Sequence, residues 1–132
     1  MKKDIVSKKD IELLVDVFYG KIREDDLIGF IFTDIAKVNW EKHLPVMYDF
    51  FENMLFYTGS YTGNPMELHK HINRLFPLTD AHFLRWNLLF RTSVDELFSG
   101  QKAELAKQRA KSIAAVMQIK ILNETSSADK IF

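Results

Sequence analysis

Cysteine is absent from the 132 residues, which excludes disulfides, thiolate metal sites and cysteine nucleophiles together. An excess of either charge is absent too, with Lys plus Arg and Asp plus Glu at 18 each. Holding nucleic acid by neutralising phosphates requires a basic surplus, so this balance argues against a general nucleic-acid or polyanion binder. Long apolar runs are missing. The start, MKKDIVSKKD, is basic but no apolar stretch of signal-peptide length follows it, and nothing later approaches a membrane span. The expectation is a soluble, unexported, cytoplasmic protein with no membrane and no nucleic-acid partner. Internal repeats and sustained β-type alternation are also lacking. So are a glycine-rich phosphate loop, a Gly-x-Ser-x-Gly turn and a His-Glu-x-x-His pair, which removes the common enzyme motifs.

What is present describes a folded, aromatic-rich chain. Hydrophobic residues make up 47% and charged residues 27%, a composition that folds rather than stays disordered, and the length suits a single core. The reading is one domain over residues 1–123 followed by a polar tail, 124–132. Eleven Phe, four Tyr and two Trp suit either a dense core or a large flat cofactor.

Apolar spacing predicts helices throughout. Ser7 and Asp10 resemble a capping box, after which Ile11, Leu14, Val15, Phe18 and Ile22 recur at helical intervals. Asp25, Asp26 and Gly29 mark a short turn or one-turn helix leading into Phe30-Ile31-Phe32. A second long helix from about Asn39 carries Trp40, His43, Leu44, Met47, Phe50, Phe51, Met54 and Leu55, with Pro45 near its first turns. Gly59 to Gly63 reads as a loop, and Asn64-Pro65 as the start of a short helix that Pro77 ends. Thr79 can cap the next helix, whose face is Phe83, Trp86, Phe90, Val94 and Leu97, up to Gly100. A final helix from about Lys102 to Asn123 aligns Ala106, Ala110, Ile113, Met117 and Ile121. The fold class is all-α, with about five to six helices.

The remaining chemistry is histidine and aromatic chemistry. His69 and His71 are two apart, so on a helix they point about 200° from each other and cannot chelate one ion from one face. His69 shares a stripe with Met66, Ile72 and Phe76, and His71 with Leu68 and Leu75, so periodicity leaves the choice between them open. His43 lies between Trp40 and Met47 on an apolar stripe, and a buried imidazole needs a partner, a ligand or water. Tyr19 and Trp86 sit on the apolar faces of their helices, and each carries one polar atom that needs the same. Taken singly, His69 and His71 are most simply one satisfied core histidine and one surface histidine, His43 a partly exposed, bonded one, and Tyr19 and Trp86 packing aromatics whose polar atoms find backbone carbonyls. Together they suit haem chemistry, in which one imidazole ligates iron and polar groups across the ring hold a bound diatomic.

In this order, Phe18-Tyr19, Ile31-Phe32, HLPVMYDFF from His43, YTGNPMELH ending at His69 and FLRWNLLF from Phe83 resemble the group III truncated haemoglobins over roughly residues 10–120. The resemblance implies a truncated globin fold, a helical sandwich around a haem pocket, with haem b (iron protoporphyrin IX) as cofactor. It makes His69, closing the Gly-x-Pro-x-x-x-His run, the iron ligand and leaves His71 a bystander. It sets His43, Tyr19 and Trp86 on the ligand side, with Met47 and Phe32 near the haem or its ligand. One departure stands out: the family commonly has Phe-Trp where this chain has Phe50-Phe51, so a hydrogen bond from that indole cannot be carried over. Arg74, Arg85 and Lys42 are candidates for the haem carboxylates, each against a default of solvated surface charge.

The function implied is binding of dioxygen and other diatomics, nitric oxide or carbon monoxide among them, at the haem iron. Redox or detoxification chemistry on reactive oxygen and nitrogen species is the extension. As an enzyme the chain would be a haem-dependent oxidoreductase, of nitric oxide dioxygenase or peroxidase-like type, served by a separate reductase. Two alternatives are a gas-sensing globin acting through a separate partner and a haem-free helical interaction module.

Overall fold

Four long helices carry the structure: α1 (Lys8–Glu24), α2 (Trp40–Phe56), α3 (Asp80–Leu97) and α4 (Gln101–Ile131), with a π-helical turn at Ile31–Ile35 between the first two. The computed structural model describes residues 2–59, 69–70, 72–74 and 76–131, of which 122–131 are described by their backbone alone. Residues 69–70 and 72–74 are helical, and no strand occurs among the described residues. None of the described helices is long and apolar enough to cross a membrane.

The apolar stripe read from the sequence forms the inner face of α1: Ile11, Leu14, Val15, Phe18 and Ile22 are buried, and Tyr19 with them. Ser7 caps this helix by accepting from the Asp10 N–H at 3.3 Å. The Asp10 carboxylate turns the other way, accepting from Val6 N at 2.9 Å and from Lys3 Nζ at 2.7 Å, which ties down the segment before the helix. At the other end Asp25 accepts from Leu27 N and Ile28 N, both at 3.0 Å, and from Arg85 of α3 at 2.7 Å. Burial pushes the Asp25 carboxyl up, but Arg85 and the two N–H groups outweigh it and hold it below its ordinary value. Glycine is required at position 29, where a Cβ would come within 2.7 Å of the Ile22 carbonyl oxygen.

Between Ile31 and Ile35 the chain widens into a π-helical turn closed by Ala36 N–H donating to Ile31 O at 2.8 Å. The sequence places a short turn or one-turn helix before this point and reads Phe30-Ile31-Phe32 only as an apolar run; the five-residue spacing of that bond is invisible to periodicity because the segment is a single turn. In α2, Pro45 lies inside the helix and does not delay its start at Trp40. One turn in, its missing N–H forfeits a single bond, and the helix absorbs it.

The last two helices are held by the N-terminal segment. Asp4 accepts from Lys102 N at 2.9 Å and Ala103 N at 2.8 Å, supplying the first turn of α4 with a carboxylate from 98 residues earlier. Ser99 N donates to Lys3 O at 2.9 Å, and Ile5 is fully buried beneath this clasp. Gly100 at φ +142° makes the approach possible, since a Cβ there would sit 2.5 Å from the Asp4 carboxylate carbon. The helix then runs to Ile131, beyond the Asn123 end read from the sequence. Residues 124–130 contain neither glycine nor proline, so nothing in the segment expected as a polar tail stops the backbone pattern.

Helix α1 packs on α2 and α3, and α3 on α4. Phe18 stands at the centre, edge-on to Phe51, Trp86 and Phe90, while Phe51 stacks on Phe90 with centroids 5.3 Å apart. Ala103, Ala106, Ala110 and Ala114 give α4 a buried face of small residues. On α2, by contrast, only Phe51 and Leu55 are fully buried. Most of its remaining apolar stripe is half-buried, because His43, Met47 and Phe50 face a cavity instead of another helix.

Candidate functional site

That cavity has a volume of about 560 Å³, within the range of small-molecule sites. Its wall draws on α1, the π-helical turn, α2, His69 and Ile72, α3 and α4. All six residues singled out in the sequence, Tyr19, Phe32, His43, Met47, His69 and Trp86, line it. The other lining residues are largely apolar. Two lysines, Lys37 and Lys42, and a third histidine, His82, complete its charged and titratable set, and no carboxylate lines it among the described residues.

Tyr19 enters from α1 and is 4% exposed. Its ring meets Phe18 at 4.9 Å, Trp40 and His43 at 5.4 Å each, and Phe32 at 6.0 Å. Burial pushes the phenol pKa far above its ordinary value, so the hydroxyl stays protonated and remains a donor. His43 enters from α2, its ring perpendicular to both Tyr19 and Trp40. Burial first, and repulsion from His69 second, push its pKa down, so it is a neutral imidazole at neutral pH. Its Nε2 is buried and has no hydrogen-bond partner among the described residues. Such an atom is costly to leave unpaired and is satisfied when the cavity holds a polar ligand.

Trp40 braces this group from outside. It stacks on Phe32 at 6.2 Å, and the Arg23 guanidinium lies 4.0 Å from its ring centroid, a cation–π contact at the protein surface. Trp86 comes from α3, stacked on Phe90 at 5.9 Å and edge-on to Phe18 at 5.3 Å. Both contacts fix the plane of its indole. His69 is half-buried in its helical stretch. His71, with Gly63 and Pro65 of the same run, lies outside the described residues.

Several lining residues escape sequence reasoning. His82 is in the first turn of α3, where its Nδ1 accepts from the Thr79 N–H at 2.9 Å. The spacing Thr79-x-x-His82 is that of a capping box with His in the Glu/Gln place, a signal for a cap but not for a cavity residue. Lys37, at φ +51°, and the α4 residues Ile113, Ala114 and Met117 carry no local signal of a site at all. Of the cations considered for a cofactor carboxylate, Arg85 is engaged by Asp25, Arg74 is exposed, and Lys42 lines the cavity.

No family model matches the chain. A curated relative, the group 3 truncated haemoglobin ctb of Campylobacter jejuni, is 30% identical to it over 121 residues, spanning 89% of this chain and 93% of that protein. The chain belongs to the group III truncated haemoglobins. The crystal structure of the group III truncated haemoglobin from Campylobacter jejuni agrees with it at a TM-score of 0.80 and 29% identity, covering 92% of this chain and 95% of that one. The α1 to α4 arrangement is thus a truncated globin fold. Within this truncated haemoglobin the Phe50-Phe51 departure has a plain packing consequence: Phe51 is 2% exposed and surrounded by Phe18, Phe50 and Phe90. No polar atom at that position needs a partner.

Proposed function

We propose that this truncated haemoglobin binds a b-type haem in the 560 Å³ cavity, with His69 as the iron ligand and a diatomic ligand held by Tyr19, His43 and Trp86. The observation that carries the reading is the wall itself: apolar and aromatic, bearing a buried imidazole nitrogen without a partner and no carboxylate among the described residues. Imidazole is a suitable iron ligand, flat apolar surfaces accept a porphyrin, and Lys37 and Lys42 suit its carboxylates. When bound, haem supplies an iron with a coordination position open to diatomic ligands.

The chain's own residues then decide what such a ligand experiences. Tyr19 offers an O–H that burial keeps protonated, and Trp86 offers an indole N–H. A donor aimed at dioxygen stabilises the partial negative charge on its outer atom. Dioxygen held by two donors leaves slowly, a poor property for a carrier that must unload. The arrangement favours reaction over transport: oxidoreductase chemistry of nitric oxide dioxygenase or peroxidase-like type, with electrons from a separate reductase. His43, neutral and half-buried beside Tyr19, is the group suited to proton transfer there.

Absorption spectra of the oxidised, reduced and carbon monoxide-bound protein after haem addition test this. A Soret band that shifts with each state is expected, His69→Ala should abolish the proximal ligation, and His71→Ala should preserve it. No Soret band in the parent protein refutes haem binding; unchanged ligation in His69→Ala moves the ligand elsewhere.

A further inference from the structure

We propose that His82 is a binding residue for a haem carboxylate, donating to it from Nε2; this rests on the haem reading above. The argument starts from the tautomer. A neutral imidazole has one donor and one acceptor nitrogen. His82 Nδ1 accepts from the Thr79 N–H at 2.9 Å, with the Thr79 hydroxyl 3.2 Å away. The acceptor is therefore Nδ1 and the hydrogen belongs on Nε2. Burial also pushes the imidazole pKa down, in keeping with a neutral ring.

The ring is also held in place. It meets Phe76 at 5.8 Å, and Phe76 in turn is bonded back to Ile72, on the stretch that carries His69. A rigid ring with an assigned tautomer is thus a fixed donor at the cavity wall. Nε2 donates to no described residue, and no carboxylate lines the cavity among them, so an occupant of the cavity can supply the acceptor in place of water.

Two features favour a carboxylate over a diatomic ligand. His82 lies in the first turn of the 18-residue helix α3, where the free N–H groups and the helix dipole favour negative charge. It is also half-exposed and outside the Tyr19–Trp40–His43 ring group, at a solvent-reaching part of the wall. The propionates of a buried haem need such a place to keep their charge in contact with water.

The test exchanges both partners. Haem loss from the holoprotein to excess apomyoglobin is timed for the parent, His82→Phe and His82→Glu, each loaded with haem or with its dimethyl ester, which lacks the carboxylates. Glutamate can still accept from the Thr79 N–H, so that variant retains the cap, and its side chain has no N–H to donate. Both variants should lose ordinary haem about tenfold faster than the parent and lose the dimethyl ester at the parent's rate. Equal acceleration with both haems, or none with either, overturns the assignment and leaves His82 a helix cap. A parent protein that takes up neither form overturns the haem reading itself, a distinct result.

Discussion

Tyr19 and Trp86 reach the cavity from different helices, and among the described residues each is oriented by aromatic contacts and not by hydrogen bonds. Tyr19 is wedged among Phe18, Phe32, Trp40 and His43, and Trp86 is stacked on Phe90. Their polar atoms are therefore left for a ligand. Removing each donor should raise the oxygen dissociation rate about tenfold, read by stopped-flow displacement in Tyr19→Phe, Trp86→Phe and the double variant. Unchanged rates would take the donors out of the mechanism. These residues are visible in the sequence as aromatics on apolar stripes, but their shared cavity is not, because periodicity orders residues within one helix and says nothing of which helices meet. The choice of His69 over His71 depended on the distance from the Gly-x-Pro turn, a family pattern. His82 stayed hidden because its local chemistry is fully explained by capping Thr79, while its contact with the cavity is tertiary.

At the level of elements, α1 was the most legible: its five-residue stripe is the buried face, since a helix packed on two sides shows a clean period. The start of α4 was the least legible. Its first-turn N–H groups are served by Asp4, and no local window can reveal a cap 98 residues away. Burial pushes the Asp4 carboxyl up, but hydrogen bonds from Lys102, Ala103 and Ile5 outweigh it and leave the pKa below its ordinary 3.8. A carboxyl depressed in the folded state contributes stability in full above its unfolded value and loses it as pH falls through the folded one. Asp4→Ala should thus cost about 1–2 kcal/mol at pH 7, measured by urea unfolding. The gap from the parent should narrow below pH 3.8. A gap that persists at low pH would show that the carboxylate is not its source.

For the molecule as a whole, the fold divides into a filled half and an open half. Phe18 and Phe90 fill the first, Tyr19, Phe32, Met47 and Trp86 border the cavity, and Phe51 belongs to both, stacked on Phe90 and lining the cavity. A ligand that occupies it binds the folded chain alone and stabilises it by mass action. Haem at about a hundred times its dissociation constant should raise the thermal midpoint by roughly 10 °C, followed by calorimetry; no rise would separate the cavity from haem. The all-helical class and the order of helices were legible from spacing alone, while the cavity emerges only when half-buried stripes from separate helices converge. The placement of the indoles has a further consequence. The chain has two tryptophans; Trp86 lines the cavity and Trp40 lies one ring behind it, against Tyr19 and His43. With no third indole elsewhere to give a constant background, the whole of the tryptophan fluorescence comes from beside the cavity. The protein thus carries its own optical gauge of whether that space is filled.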